Sequence, residues 1–193
     1  GDVIARLKDI PDDYVQMVCT SPPYWALRDY GEEGQFGLEA TPELYVEKLV
    51  EIGQELKRVL RKDGTFWLNL GDTYWGGGWR GCELNDNSGD IQKSHKGTHD
   101  SENISMGKGS HNVIKQKDMV GIPWRSAFGL QADGWYLRQD IIWNKPNPMP
   151  ESVTDRCTKA HEYIFLMSKS KNYYYDADAI KQPYQENTKP GSQ

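Results

Sequence analysis

Several features that would place a chain quickly are missing from this one. Its cysteines are only three, Cys19, Cys82 and Cys157, an odd number at wide and irregular spacing. They form neither a disulfide framework nor a CxxC metal site, so a reducing, cytoplasmic setting is expected and no metal is expected. No apolar run approaches the ~20 residues of a membrane span, and no basic-then-apolar leader is visible. Neither a membrane partner nor a secretory signal is therefore expected. An excess of positive charge is absent too. The formal net charge is −5, which argues against unspecific nucleic-acid binding over the whole surface. A localised groove remains compatible with it, because net charge averages over faces with different tasks.

What is present suits an ordinary folded domain. The 193 residues, 37% hydrophobic and 26% charged, are enough for one core. Ile4, Leu7 and Ile10 mark a short helical stripe that ends near Pro11. Residues 15–20 (VQMVCT) read as a buried parallel strand. The clearest helix follows a Gly- and Glu-rich loop. Thr41 caps it, Pro42 suits its first turn, Leu44, Leu49, Ile52, Leu56, Val59 and Leu60 supply its apolar positions, and Asp63-Gly64 ends it. Residues 65–70 (TFWLNL) are a second strand. A helix capped by Asp118 and running to Gly134, a strand over 136–143 and a strand at HEYIFLMSKS complete the order. Alternating helices and strands imply an α/β fold with a mostly parallel sheet, whose last strand enters antiparallel because no helix precedes it. Between about 76 and 117 the composition turns to Gly, Ser, Asn, His and Lys. That stretch reads as a long flexible insertion or, alternatively, as a DNA-contacting loop.

One stretch is chemically unusual. The first strand stops at CTSPPYW, where Ser21 is followed by Pro22, Pro23, Tyr24 and Trp25. Prolines cannot donate a backbone hydrogen bond, and each restricts both its own φ and its predecessor. In open α/β sheets ligands gather at the carboxyl ends of the strands. This puts Ser21-Pro22-Pro23-Tyr24 and the Asn69-Leu70-Gly71-Asp72 segment on one rim.

Residues 20–25, TSPPYW, resemble the catalytic motif of the DNA amino-methyltransferases, Asp/Asn/Ser-Pro-Pro-Tyr/Phe/Trp after an apolar strand. The segments LRKDGTFWLNLGDTY, VGIPWRSAFGLQADGWYLRQDIIWNKPNPMPESVTDR and HEYIFLMSKS are similar, in the same order, to successive segments of the permuted, beta-type class. The resemblance covers nearly the whole chain apart from the loop at about 76–117. It implies a Rossmann-like, S-adenosylmethionine-dependent fold, here a partial sheet. It also implies transfer of a methyl group from S-adenosyl-L-methionine to the exocyclic amine of a flipped cytosine or adenine in double-stranded DNA. Ser21 leans towards cytosine N4, and the host would be a bacterial, archaeal or phage-infected cell.

The amine is a poor nucleophile because its lone pair is delocalised into the ring. Ser21 and the Pro22 carbonyl would accept its hydrogens, with Pro23 fixing the backbone, and Tyr24 would stack on the flipped base. Other positions keep two readings. Asp2 is a cofactor contact, as Ser21 also is by the resemblance, or a helix cap. Trp25 lines the base pocket or packs under it. Asn69 and Asp72 are substrate-side residues, or Asp72 only caps or turns the chain. Lys145 reaches a phosphate or is solvated, and His161 is a structural histidine. The class usually continues into an Asp-Pro-Phe-x-Gly-Ser-Gly loop for the cofactor, which these residues do not contain. The expectation is therefore a catalytic half over 1–193, with an inner sheet edge unpaired. A missing C-terminal half or a second chain would complete the cofactor site, and a homodimer is a further expected association. A non-catalytic DNA-binding remnant, and methylation of RNA or of a protein glutamine, stand as alternatives.

Overall fold

The computed structural model describes residues 1–76 and 111–182. The order is α1 (Val3–Leu7), β1 (Val15–Thr20), α2 (Pro42–Val59), β2 (Leu60–Leu70), α3 (Ile122–Ala132), β3 (Tyr136–Asn144) and β4 (His161–Ser168). Local chemistry explains most boundaries. The Thr41 hydroxyl accepts the Leu44 N–H at 3.3 Å, and Pro42 occupies the first turn of α2. Tyr45, Leu49, Ile52, Leu56 and Val59 form its buried stripe. Leu44, expected in that stripe, is exposed, one position off the buried Tyr45.

Two boundaries differ from expectation. The helix α2 ends at Val59, not at Asp63-Gly64, and β2 begins at Leu60, not at Thr65. Val15 pairs with Leu60 while Met17 already pairs with Thr65, so the intervening β2 residues bulge out of the ladder. Gly64 lies in that bulge, where an added Cβ would come within 3.0 Å of the Gln16 and Arg61 carbonyl oxygens. The glycine thus marks a close backbone approach inside a strand, a signal that resembles a helix stop in sequence. Asp118 likewise does not cap α3. Its carboxylate accepts the Lys115 N–H at 2.8 Å, and α3 starts after Gly121.

The sheet has the order β1-β2-β4-β3. β1 and β2 are parallel, and β4 is antiparallel to both of its neighbours. The expected antiparallel last strand is therefore present, inserted between β2 and β3. Successive side chains of a strand alternate between faces. On one face Phe66 pairs with Met167 and Leu68 with Phe165, all buried in a core shared with α2 and α3. Trp135 packs on Phe66 at 5.3 Å, and Trp124 meets the edge of Phe165 at 5.1 Å. On the other face stand Trp67, Asn69, Glu162 and Leu166.

β1, expected to be buried, lies at the sheet edge, with Cys19 and Met17 exposed. Among the described residues it pairs only with β2. The bulk of the expected insertion, residues 77–110, lies outside the described residues, as do Cys82 and the tail 183–193. The end of that stretch is packed. Ile114 is buried, the His111 ring meets Trp75 at 5.1 Å, and the Lys117 N–H donates to the Trp75 carbonyl at 2.9 Å. Among the described residues no helix is long and apolar enough to cross a membrane.

Candidate active site

β1, β2 and β3 run the same way, and β4 runs against them. The carboxyl ends of the first three and the amino end of β4 therefore share one rim. Ser21 follows β1 directly, Asn69 is the penultimate residue of β2, Lys145 follows β3 and Glu162 is the second residue of β4. Residues far apart in sequence are thus neighbours without any loop having to search for them.

The chain crosses this rim in steps. The Pro23 carbonyl accepts from the Tyr45 hydroxyl at 3.0 Å, which pins the proline pair to α2. Trp25 drops into the core at 3% exposure, stacks near Trp75 at 6.2 Å and donates its ring N–H to the Glu39 carbonyl at 2.8 Å. Its indole is thus part of the core. Tyr24 goes the other way, towards Asn69 and Glu162 on the face opposite the helices. The Cδ2–Cε2 side of its ring lies against Gly71, where an added Cβ would come within 2.6 Å. Gly71 is therefore a requirement of the tyrosine's position. The sequence places Gly71 on the rim but assigns it no task.

The Tyr24 hydroxyl is the centre of a polar cluster. It lies 3.2 Å from Ser21 Oγ, 2.7 Å from Asn69 Oδ1 and 2.9 Å from Glu162 Oε2. Glu162 is also ion-paired with Lys145. Burial pushes the phenol up to about 12; the Ser21 hydrogen bond opposes this, and Glu162 adds to it. Tyr24 therefore stays a neutral donor at physiological pH. Ser21, by contrast, is exposed on the rim. Among the described residues no donor is bonded to the Pro22 carbonyl, whereas the Pro23 carbonyl is taken.

The remaining predicted residues separate clearly. Asp2 Oδ1 accepts the Ala5 N–H at 2.8 Å, capping α1. Asp72 is engaged structurally: its carboxylate accepts the Thr73 N–H at 2.9 Å, Gly121 at 2.9 Å and Ile122 at 3.0 Å. It supplies the cap of α3 from β2's end, which is the capping alternative of its two readings. Lys145 is ion-paired with Glu162. His161 sits edge-on to Tyr163 at 5.2 Å.

Two residues were missed. Glu162 has one signal in the sequence, an acid opening an otherwise apolar strand. Lys159 has none: its ammonium is buried without a hydrogen-bond partner among the described residues. Burial holds its pKa below the ordinary lysine range, opposed by Asp72, Glu162 and Glu151. Among the described residues no cluster of side chains could hold a metal ion.

An open α/β sheet with one antiparallel strand, carrying a proline-stiffened Ser-Pro-Pro-Tyr turn on its strand-end rim, defines the class. The family model described as DNA methylase matches residues 15–192, and the chain belongs to that family. It is 48% identical over 185 residues to the Type II methyltransferase M.SmaI of Serratia marcescens, covering 95% of this chain and 59% of that protein. To M.Cfr9I of Citrobacter freundii it is 46% identical over 182 residues, covering 94% and 57%. The chain thus spans somewhat under three-fifths of the length of these curated relatives. In fold it is similar to the PvuII DNA methyltransferase (cytosine-N4-specific), with TM-score 0.60, 18% identity, and coverage of 93% of this chain and 51% of that one. It also resembles a putative DNA modification methylase of Thermus thermophilus, solved with S-adenosyl-L-methionine, with TM-score 0.55, 19% identity and coverage of 93% and 57%.

Proposed function

We propose that this chain carries the base-side half of a DNA amino-methyltransferase, which moves a methyl group from S-adenosyl-L-methionine to the exocyclic amine of a flipped base in double-stranded DNA. Cytosine N4 is the favoured target, with adenine N6 second. The observation that carries the reading is the Ser21-Pro22-Pro23-Tyr24 turn at the end of β1, with Ser21 open to solvent and Tyr24 tethered beside it. The relatives' description as Type II methyltransferases, and the cytosine-N4 specificity in the name of one fold neighbour, support it.

Each residue has a task that follows from its place. Ser21 Oγ and the Pro22 carbonyl accept the amino hydrogens and return lone-pair density to the nitrogen, which takes the methyl group from the sulfonium and releases one proton to solvent at the exposed rim. Pro22 and Pro23 hold the backbone so that the acceptor does not need ordering at the moment of reaction. Tyr24 provides an aromatic face for the base, with its other side on Gly71. Asn69 holds the tyrosine from β2. Asp2 is exposed and uses Oδ1 for its cap, so Oδ2 would be available to a ribose hydroxyl of the cofactor, and Ser21 would face the cofactor's methyl group. When bound, that cofactor supplies an electrophilic methyl group on a sulfonium.

The test is methyl transfer from labelled S-adenosylmethionine to duplex DNA by the complete gene product, with the methylated nucleoside identified by mass spectrometry. Ser21→Ala is expected to lower the rate about a hundredfold, as for loss of one pre-organised polar contact. Tyr24→Ala is expected to lower it about tenfold or more, since base stacking is worth roughly 1–3 kcal/mol. An unchanged rate for Ser21→Ala, or preferential methylation of RNA or protein, overturns the reading.

A further inference from the structure

The polar cluster at the rim contains more acceptors than Tyr24 has protons. One phenolic hydrogen cannot serve both Asn69 Oδ1 at 2.7 Å and Glu162 Oε2 at 2.9 Å. An ionised carboxylate is the stronger acceptor, so the hydrogen goes to Glu162. Asn69 then satisfies the phenol by turning its amide so that the NH2 group donates, an assignment that the hydrogen-bond network decides. The phenol oxygen keeps one more acceptor site, and the Ser21 hydroxyl fills it at 3.2 Å. With its only hydrogen directed at Tyr24, Ser21 Oγ has nothing but lone pairs to present outward. Lys145, just after β3, pairs with the other oxygen of Glu162, whose side chain is only 17% exposed.

We infer that Glu162 is a positioning residue that fixes the direction of the Glu162–Tyr24–Ser21 hydrogen-bond chain, making Ser21 an obligatory acceptor for the target amine. The inference rests on the proposed role of Ser21, and it adds a residue that never touches the base. Without the negative charge at the end of the chain, the phenol is free to donate back to Ser21. The serine hydrogen then points outward at an amine that also carries hydrogens, a donor-to-donor arrangement. Glu162→Gln is the appropriate change, because it removes the charge and keeps the shape. Lys145, 42% exposed, can return to water in the variant, so the fold is retained.

The experiment is a double-mutant cycle with the complete gene product, reading single-turnover methyl transfer to duplex DNA. Glu162→Gln is expected to slow transfer about tenfold with the KM for DNA within about twofold, since only the reacting geometry changes. In a Tyr24→Phe background, where the chain is already cut, the same change is expected to cost less than about twofold. Equal losses in both backgrounds overturn the inference, because Glu162 would then act by some other route. A second reading needs no activity. In protein with 13C-labelled tyrosine ring carbons, the Tyr24 resonance, identified by its loss in Tyr24→Phe, is expected to titrate at lower pH in Glu162→Gln than in the wild type. An unshifted titration also overturns it. The expected titration shift in Glu162→Gln, with a wild type that methylates no DNA, would leave the hydrogen-bond chain standing and remove the proposed function instead.

Discussion

On the helix-covered face of the sheet, β2 and β4 present Phe66, Leu68, Phe165 and Met167, all at 1% exposure or less. Nearer the rim on the same two strands, on the opposite face, stand Asn69, one residue beyond Leu68, and Glu162, three residues before Phe165, which hold a tyrosine hydroxyl at 2.7 and 2.9 Å. The two faces share a backbone and a register, yet they are held by different physics. Burial of apolar area stabilises the first at roughly 25 cal/mol per Å2. The second gains little net stability from its hydrogen bonds, because water would have made them too. Its precision is inherited: the strands that carry Asn69 and Glu162 are set by the core beneath, and the polar side chains need only the right rotamers. Stability should therefore respond to changes on the helix face, and methyl transfer to changes on the rim.

The largest stability effect should come from the helix face. Phe165→Ala removes a ring that meets Trp124 at 5.1 Å and Tyr163 at 6.0 Å. A loss of about 3–5 kcal/mol is expected in urea denaturation, as for a large aromatic truncated in a packed core. A loss below about 1 kcal/mol would mean that this face does not hold the strands, and the division between the faces would fail.

A residue that belongs to neither face should show an intermediate effect. Asp72 sits on the rim but works as the cap of α3 through the Gly121 and Ile122 N–H groups. Asp72→Ala is expected to destabilise by about 1–2 kcal/mol, and Asp72→Asn by less, because the amide keeps an acceptor. In thermal melts both should lower the midpoint, while methyl transfer per folded molecule stays within a few-fold. A much larger loss of transfer at full folding would restore Asp72 to the substrate side.

The contrast also explains what could be read from sequence. Periodicity found β1 to the residue and the body of α2, because apolar spacing is a local record of burial. It found the rim through Ser21 and the double proline, since two missing N–H groups at a strand end leave few bland explanations. It misplaced the end of α2, because Lys62-Asp63-Gly64 reads as a helix stop while the chain uses it as a bulge. It took Asp118 as the cap of α3 because the cap in use, Asp72, lies about fifty residues away in sequence. Glu162 was invisible for the same reason: its meaning depends on Tyr24, which sits beside it only after the sheet has formed. Contacts that a helix or strand makes with itself are legible, and contacts made by strand order are not.

The smallest effect concerns the amine that this rim leaves unpaired. Lys159 Nζ is buried with no hydrogen-bond partner among the described residues, and burial is the main reason that its pKa lies below the ordinary range. The acids that act on it are already engaged, Asp72 by backbone N–H groups, Glu162 by Lys145 and Tyr24, and Glu151 by Arg156. Lys159→Met keeps the stem and removes the charge. It is expected to stabilise the fold near neutral pH by a few tenths to about 1 kcal/mol, a figure reduced because part of the side chain reaches water. The pH dependence has a definite sign. Between the lowered folded pKa and the unfolded value of about 10.4, the unfolded chain binds more protons, so stability of the wild type rises with pH through that window. The advantage of Lys159→Met should therefore be full below the folded pKa and shrink as pH approaches about 10. An advantage that grows with pH, or a methionine variant less stable at neutral pH, would show that Lys159 has found a partner and that the rim is as fully paired as the core.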